Sequence, residues 1–546
     1  MRVTVFESKL LWVPLFLAWT LGAWGQTARF TDFSYKGRDA RFEQDIDPAV
    51  QYFNPVLAGF YPDPSVCTDG ESYFLVNSSF SFYPGVPIFK SSDMVGWRQI
   101  GHVLERETQL SLGEGDVSAG IFAPAISYNE ANANFYMVTM NMTDYRVFYV
   151  KSQNPGEGWS DPLYQKRGGM DPSLFFDHDG RGYMVYTTRP SDGQKYEGDM
   201  AICMNELDVE ADTLLSETVQ LARGGVWLEG PHLYRHGDFY YLMCAEGGTG
   251  DNHKEVIFRS EDIRGPYEAC PYNPILAQPS GGVGDFPVSS TGHADIIETT
   301  DGSWWAVFLA CRPYEGDFYN TGRETFLLPV GWEDGWPMIL PQGDALPTVC
   351  SKEGLEAAAD RPTGNYSFSD SFEGGSLDMR WTRLRNPDPS HYRLDGNGLC
   401  IDAGESTIYQ KESPTAVFFR QAHCCFTSSV TLDFAPVDGR DLAGMVLLQD
   451  ETHNFVFGKT LVGDHEALVL SRSEGETEVL ASVALDDGDL ITLRVEGDGG
   501  SYSFSYKTGG EDWVTLAADV DATNLSTHVA GGFIGTMIGL YATTNQ

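Results

Sequence analysis

The sequence predicts an all-β protein of two units, a five-bladed β-propeller followed by a β-sandwich. Three observations carry this expectation. Aromatic residues make up 13% of the chain and glycine numbers 59, a composition suited to short strands joined by tight turns. Between residues 50 and 348 one unit recurs five times, and such a period, with several strands per copy, is the signature of a propeller. From residue 364 to 546 the recurring unit gives way to segments that alternate apolar and polar residues, as half-buried strands of a sandwich do. At 546 residues the chain is also too long for a single core.

Residues 1–25 read as a signal peptide. Arg2 and Lys9 precede an apolar run from Leu10 to Leu21, and Ala23-Trp24-Gly25 supplies the small-residue site. The run is short for a membrane span, and no later segment is apolar enough. The expectation is a secreted protein, extracellular or periplasmic. Residues 26 to about 50 are polar and charged and read as a poorly ordered lead-in.

Each copy of the repeat has a small or acidic residue, usually beside proline, then an apolar pair, a Gly or Asn turn and an aromatic-rich strand. Copy one runs Asp63-Pro64-Ser65-Val66, then Tyr73-Phe74-Leu75-Val76. Copy two has Ala123-Pro124 before Phe135-Tyr136-Met137-Val138. Copy three has Asp171-Pro172 before Tyr183-Met184-Val185-Tyr186. Copy four has Glu229-Gly230-Pro231 before Phe239-Tyr240-Tyr241-Leu242. Copy five has His293-Ala294-Asp295 before Trp304-Trp305-Ala306-Val307. If each opening residue sits on the innermost strand of a blade, Asp63, Asp171 and Glu229 share one position of the repeat and face one channel. The flanking prolines hold Asp63 on a stiff, extended approach to its strand.

Leu340 to Pro347 closes the first domain, and Ser351 to Gly364 reads as a linker. The sandwich strands follow, among them Ser429 to Phe434, Gly444 to Leu448, Leu490 to Val495 and Tyr502 to Tyr506. The nine cysteines are an odd number without paired spacing. Cys67, Cys244 and Cys311 read as buried thiols, a Cys424–Cys425 bridge would be strained, and the absence of CxxC argues against zinc. Four sequons begin at Asn77, Asn141, Asn365 and Asn524, with Asn77 in a buried strand. The net charge of −41 argues against nucleic-acid and anionic-membrane partners and suits a neutral ligand such as a sugar.

Three carboxylates around one cavity suit metal-free hydrolysis of a glycosidic bond. One group stays ionised as base or nucleophile, one keeps its proton as acid, and a third can tune the acid by its charge. Glu229, with the longer reach, suits donation to a leaving-group oxygen. Asp171 could instead cap a turn, and Glu229 could instead pair with Arg223.

The segments Gly59 to Val66, Met170 to Phe176 and Glu229 to Tyr234 resemble the three signature segments of glycoside hydrolase family 43. Phe80 to Val86, Ser91 to Trp97, Ala245 to Thr249, Gly265 to Glu268, Pro271 to Leu276 and Gly322 to Thr325 resemble its β-xylosidase-like branch. The likeness runs from about residue 54 to the C-terminus. It implies a five-bladed propeller and an inverting mechanism, with Asp63 as general base, Glu229 as general acid, and Asp171 raising and orienting the acid. Arg323, Phe80 and Thr249 match positions around the non-reducing sugar, and Phe122 stands where the family often has Trp. His293 matches a central histidine that in some members lies near a metal ion or water; a satisfied channel histidine is the simpler reading. No cofactor or metal is required, although a structural calcium ion is compatible with the family. The tail resembles the concanavalin-like sandwich of this branch, beginning at Trp381 to Pro387, and Phe533 is the counterpart of a phenylalanine that closes the site. The chain stops where relatives often continue into a last strand, which leaves the sandwich edge open.

The implied activity is exo-hydrolysis of β-xylosides, α-L-arabinofuranosides or both, acting on small xylo- or arabino-oligosaccharides. An endo-arabinanase or endo-xylanase would need an open groove. A sugar-binding propeller without turnover is disfavoured by the presence of all three carboxylates, and a retaining fructosidase by the Glu229-Gly230-Pro231-His232 segment. Oligomeric state is not legible.

Overall fold

The computed structural model describes residues 26–278, 282–355, 363–486, 488 and 490–546. The leader read over residues 1–25 and the middle of the linker lie outside the described residues. Strands dominate, and the described residues contain one four-residue α-helix, Thr527–Ala530.

Five antiparallel sheets form the first domain. Their innermost strands are Ser65–Thr68, Ile121–Asn129, Met170–Phe176, Glu229–His236 and Ser289–Glu298, and each begins a sheet of at least four strands. These strands pack in a ring, each against the next and the fifth back against the first, which closes a β-propeller. The core is divided into wedges between blades because successive side chains of a strand face opposite ways. Phe135 and Met137 pack toward the first blade with Phe74 and Ile88, whereas Tyr136 and Val138 pack toward the third with Met184 and Tyr186.

The inner strands share a backbone device. Asp63, Ala123, Asp171, Gly230 and His293 are left-handed, with φ of 50°, 34°, 47°, 57° and 50°. In four blades the ladder slips at this point, between Phe122 and Ala125, Met170 and Ser173, Glu229 and His232, and Gly292 and Asp295. Two expectations are corrected. Asp63 is not on an extended approach; it occupies a left-handed kink between its two prolines. And Glu229 does not share the position of Asp63 and Asp171, because Gly230 does. A Cβ at Gly230 would stand 3.0 Å from the His293 ring, so glycine takes the kink and the carboxyl moves one residue upstream.

The second domain is a sandwich of an eight-stranded and a six-stranded sheet. Here the lead-in expectation fails. Thr27–Gly37 is an eleven-residue strand in the middle of the eight-stranded sheet, paired with Cys425–Asp433 on one side and with Ser367–Asp370 and Leu399–Asp402 on the other. Ala28, Phe30, Phe33 and Tyr35 are buried in the sandwich core. The sandwich is therefore built from both ends of the described chain, with the propeller inserted between them.

A buried ionic cluster welds the two domains. Arg312, fully buried, donates to Glu324 at 2.5 and 2.8 Å, to Asp39 Oδ2 at 2.6 Å and to the carbonyl of Ala422 at 2.7 Å. Asp39 Oδ1 in turn accepts from the backbone N–H of Cys425 at 2.6 Å. All nine cysteines are free thiols, and Cys67, Cys244 and Cys311 are buried as expected. Asn77, Asn141 and Asn524 are also buried, out of reach of a glycan in the folded chain.

Candidate active site

The channel end where the inner strands begin gathers the three carboxylates. The approach to Asp63 is pinned by Asn77, whose Nδ2 donates to the carbonyls of Tyr61 and Pro62 at 3.0 Å each. Thr325 Oγ1 donates to the Tyr61 carbonyl at 2.7 Å. The buried Asp63 carboxylate accepts from Ser78 Oγ at 2.6 Å and from Arg323 Nη1 at 3.0 Å, and His293 Nδ1 lies 3.8 Å away. Burial works to raise its pKa, but Arg323, His293 and the Ser78 hydroxyl outweigh burial and hold the carboxyl below the ordinary carboxylate value.

The other two groups move the opposite way. Burial raises Asp171, and the Asp63 charge adds to it against His293 and a 3.3 Å bond from the Gly230 N–H. Glu229 is half-buried at the first position of its strand. Burial first, then the charges of Asp171 and Asp63, push it up to about 8, with Arg323 opposing. The two environments thus drive the carboxyls apart, Asp63 toward its ionised form and Glu229 toward its protonated form. Arg223 does not compete for Glu229; it is bound to Asp192 and Asp199.

The remaining expected residues converge here. Phe80 is buried and stacks on Phe533 at 5.8 Å and 16°, and Phe122 meets both rings edge-on at 4.9 and 5.5 Å. Phe533 comes from the sandwich, and its backbone is fixed from the propeller. Its N–H donates to Ser118 Oγ at 2.9 Å and its carbonyl accepts from Arg323 Nη2 at 3.2 Å. Arg323 also donates to Thr249 Oγ1 at 3.0 Å and lies over the rings of Phe80 and Phe533. So Arg323 joins the Asp63 carboxylate, the Thr249 loop and the sandwich loop. The buried His293 ring covers Gly230 and faces Asp63.

Three residues were not foreseen. Ser78 is fully buried; its oxygen accepts from the Ala123 N–H at 2.7 Å, which turns its own proton toward Asp63. Glu324 carries the Arg312 cluster to the Gly59 N–H at 2.6 Å, at the start of the Asp63 motif. Asp295 ties three blades by accepting from Ser65 Oγ, the Val66 N–H and Tyr234 Oη at 2.7 to 2.9 Å. Asp295 lay in the fifth copy and could have been read as its acidic member; Ser78 and Glu324 have partners too distant in sequence to signal them.

A separate open groove of about 1380 Å³ runs between the loop near Leu110 and the sandwich, lined by Glu107, Glu114, Arg385, His391 and Tyr392 among others. It contains none of the three carboxylates, and the Tyr392 hydroxyl is already engaged with backbone. Among the described residues no group of three or more His, Cys, Asp or Glu side chains is arranged to hold a metal ion.

Known proteins resemble the chain over most of its length. The profile of glycosyl hydrolases family 43 matches residues 52–337, and that of the beta xylosidase C-terminal Concanavalin A-like domain matches residues 369–546. A xylosidase/arabinosidase of Butyrivibrio fibrisolvens is 37% identical over 90% of this chain and 96% of its own length. A non-reducing end alpha-L-arabinofuranosidase of Bacteroides ovatus is 33% identical over 90% of this chain and 91% of its own. Among solved structures, a family member retrieved from a capybara gut metagenome superposes with a TM-score of 0.88 at 36% identity, covering 95% of this chain and all of that one. A xylan beta-1,4-xylosidase from Bacillus halodurans gives 0.82 at 29% identity, covering 90% and 97%.

Proposed function

The chain belongs to glycosyl hydrolases family 43, and from that premise we propose that it is an inverting exo-glycosidase. It releases xylose, arabinose or both from the non-reducing ends of short xylan- or arabinoxylan-derived oligosaccharides. The observation that carries this reading is the split between two carboxyls of one cavity, Asp63 held below its ordinary pKa and Glu229 raised to about 8. A pair whose environments drive their protonation apart is the working pair of a glycosidase.

In this reading Asp63 is the general base. Its two oxygens are held by Ser78 and Arg323, so it stays ionised and aimed as it takes a proton from the attacking water. Glu229 is the general acid and gives its proton to the departing glycosidic oxygen. Asp171 keeps Glu229 protonated by its charge and shares the Gly230 kink beside it. The inner sugar rests against Phe122 and Phe533, with Phe80 packed behind both rings, and Arg323 and Thr249 meet its hydroxyls. The Phe533 wall supports exo over endo action, because an endo enzyme needs the chain to pass through. The names of the relatives span xylosidase and arabinofuranosidase, which supports a pocket accepting both sugars. The signal-peptide reading supports secretion.

Leaving groups test the roles. Glu229→Ala should lose several orders of magnitude on oligosaccharides but retain most of its rate on glycosides of acidic phenols, whose departure needs no proton. Asp63→Ala should lose both. Equal loss across leaving groups in Glu229→Ala would remove it as the acid. A panel of aryl xylosides and arabinofuranosides beside arabinoxylo-oligosaccharides ranks the substrates.

A further inference from the structure

The connections between the second and third strands of the blades emerge on the face where the inner strands begin. They supply much of the site: residues 77–84 bring Ser78 and Phe80, 247–253 bring Thr249, and 312–323 bring Arg323. In the third blade the same connection, residues 189–200, brings Tyr196, 45% exposed. The link into the fourth blade, residues 224–228, brings Trp227, 38% exposed, two residues before Glu229. Exposed aromatic rings beside a catalytic carboxyl mark a binding surface.

Both segments are built stiff. Arg223 grips Asp199 by two bonds, at 3.0 and 2.6 Å, and reaches Asp192 at 2.5 Å and the Gly193 carbonyl at 3.0 Å. Asp199 Oδ2 also accepts from the Lys195 N–H at 2.8 Å. The segments are then stitched together. The Trp227 N–H donates to the Gly198 carbonyl and the Tyr196 hydroxyl to the Gly225 carbonyl, each at 2.7 Å. The Gly247 N–H donates to the Val226 carbonyl, also at 2.7 Å, which joins them to the Thr249 loop.

Trp227 has φ of 54°, a conformation that costs an aromatic residue on the order of 1 kcal/mol or more. Its ring lies against glycines. A Cβ at Gly198 would stand 3.1 Å from it and one at Gly248 would stand 3.5 Å from it. A large ring has been fixed, at a backbone cost, with part of its surface left to solvent.

We propose that Trp227, flanked by Tyr196, is the stacking platform for the leaving-group sugar of the substrate. The proposal rests on Glu229 being the acid. The inner pocket, walled by Phe533, takes one sugar, and the acid donates to the bond joining it to the next. That next sugar lies beyond Glu229, and the exposed ring nearest to it along the chain is Trp227, two residues upstream and packed by Gly248 against the Thr249 loop. The apolar C–H face of a pyranose matches an indole face, and the polar edge of the sugar stays in water. The ligand class is therefore an uncharged pyranose backbone such as a xylo-oligosaccharide.

The test compares substrates with and without a leaving-group sugar. Xylobiose and xylotriose have one; β-xylosyl and α-L-arabinofuranosyl fluorides do not, and fluoride leaves without an acid. In Trp227→Ala the ratio of kcat/KM on xylotriose to kcat/KM on the fluoride should fall at least tenfold, mainly through KM. Trp227→Phe should recover most of it, and Tyr196→Ala should lower it by a smaller factor. An unchanged ratio in Trp227→Ala, or a ratio that Phe does not recover, overturns the proposal. The acid assignment fails separately: it falls if Glu229→Ala slows the fluoride as much as xylotriose, whatever Trp227 does.

Discussion

Replacing Asp171 by Asn isolates the electrostatic part of the mechanism. The amide keeps the size of the side chain and an oxygen for the Gly230 N–H but removes the charge that helps hold Glu229 at about 8. The acid works only when protonated, so lowering its pKa moves the alkaline limb of kcat/KM to lower pH. A nearby charge shifts a carboxyl by about 1–3 units, and one unit is ~1.4 kcal/mol. Taking one unit, the protonated fraction of Glu229 at pH 7.5 falls from about 76% to about 24%, whereas at pH 5 it stays near complete in both enzymes. The variant should thus lose about threefold more activity at pH 7.5 than at pH 5. The assay is the pH profile of kcat/KM on an unactivated disaccharide, since an activated aryl glycoside bypasses the acid. The two limbs report the macroscopic behaviour of the coupled carboxyls. An alkaline limb that stays in place or moves up in Asp171→Asn would refute the reasoning, because burial alone would then account for Glu229.

Three further outcomes are expected. NMR of the sugar released in the first turnovers should show the anomer opposite to the substrate's; retention would exclude water activation by Asp63. Ser78→Ala removes a donor that lowers the pKa of Asp63, so the base ionises only at higher pH. The acid limb should move up with the alkaline limb unmoved, and a profile that only drops in height would leave Ser78 a packing residue. Arg312→Leu leaves Asp39 and Glu324 buried without their cation and should destabilise the protein by about 3–5 kcal/mol in denaturant unfolding at neutral pH. A midpoint within error of the parent would show that the cluster is dispensable.

The propeller and its carboxylates were legible because the device that places them is local. A proline-flanked acid before an apolar pair announces a strand, and it recurs, although the left-handed kink at the acid was read as extended chain. The offset of Glu229 was not legible, since nothing short of the φ angles says that Gly230 takes the kink in place of an acid. Phe533 could be located only through its resemblance, because its contacts with Phe80 and Ser118 cross more than four hundred residues. Ser78 sits in a run of small polar residues with no periodicity. The strand from Thr27 to Gly37 was misread because Arg29, Asp32 and Lys36 give it a polar look. Its alternation of Ala28, Phe30, Phe33 and Tyr35 slips by one residue at Asp32, where φ is 51°. A single bulge, which shifts the ladder between Thr31 and Ser34, hid a strand from the middle of its sheet.

That strand has a consequence for how substrate reaches the cavity. Most two-domain proteins are joined by one crossing of the chain, about which the halves can swing. Here the backbone passes between sandwich and propeller twice, once after Gly37 on the way in and once on the way back toward Ser367. Two crossings, with Arg312 buried between them, remove the hinge. Phe533 is then presented from a domain held to the propeller at two places, and sugar reaches the site past a ring whose backbone the propeller itself anchors through Ser118 and Arg323. The same doubling means that a single protease cut between residues 351 and 364 should leave one body in solution, with the propeller still held through the strand that was threaded before it.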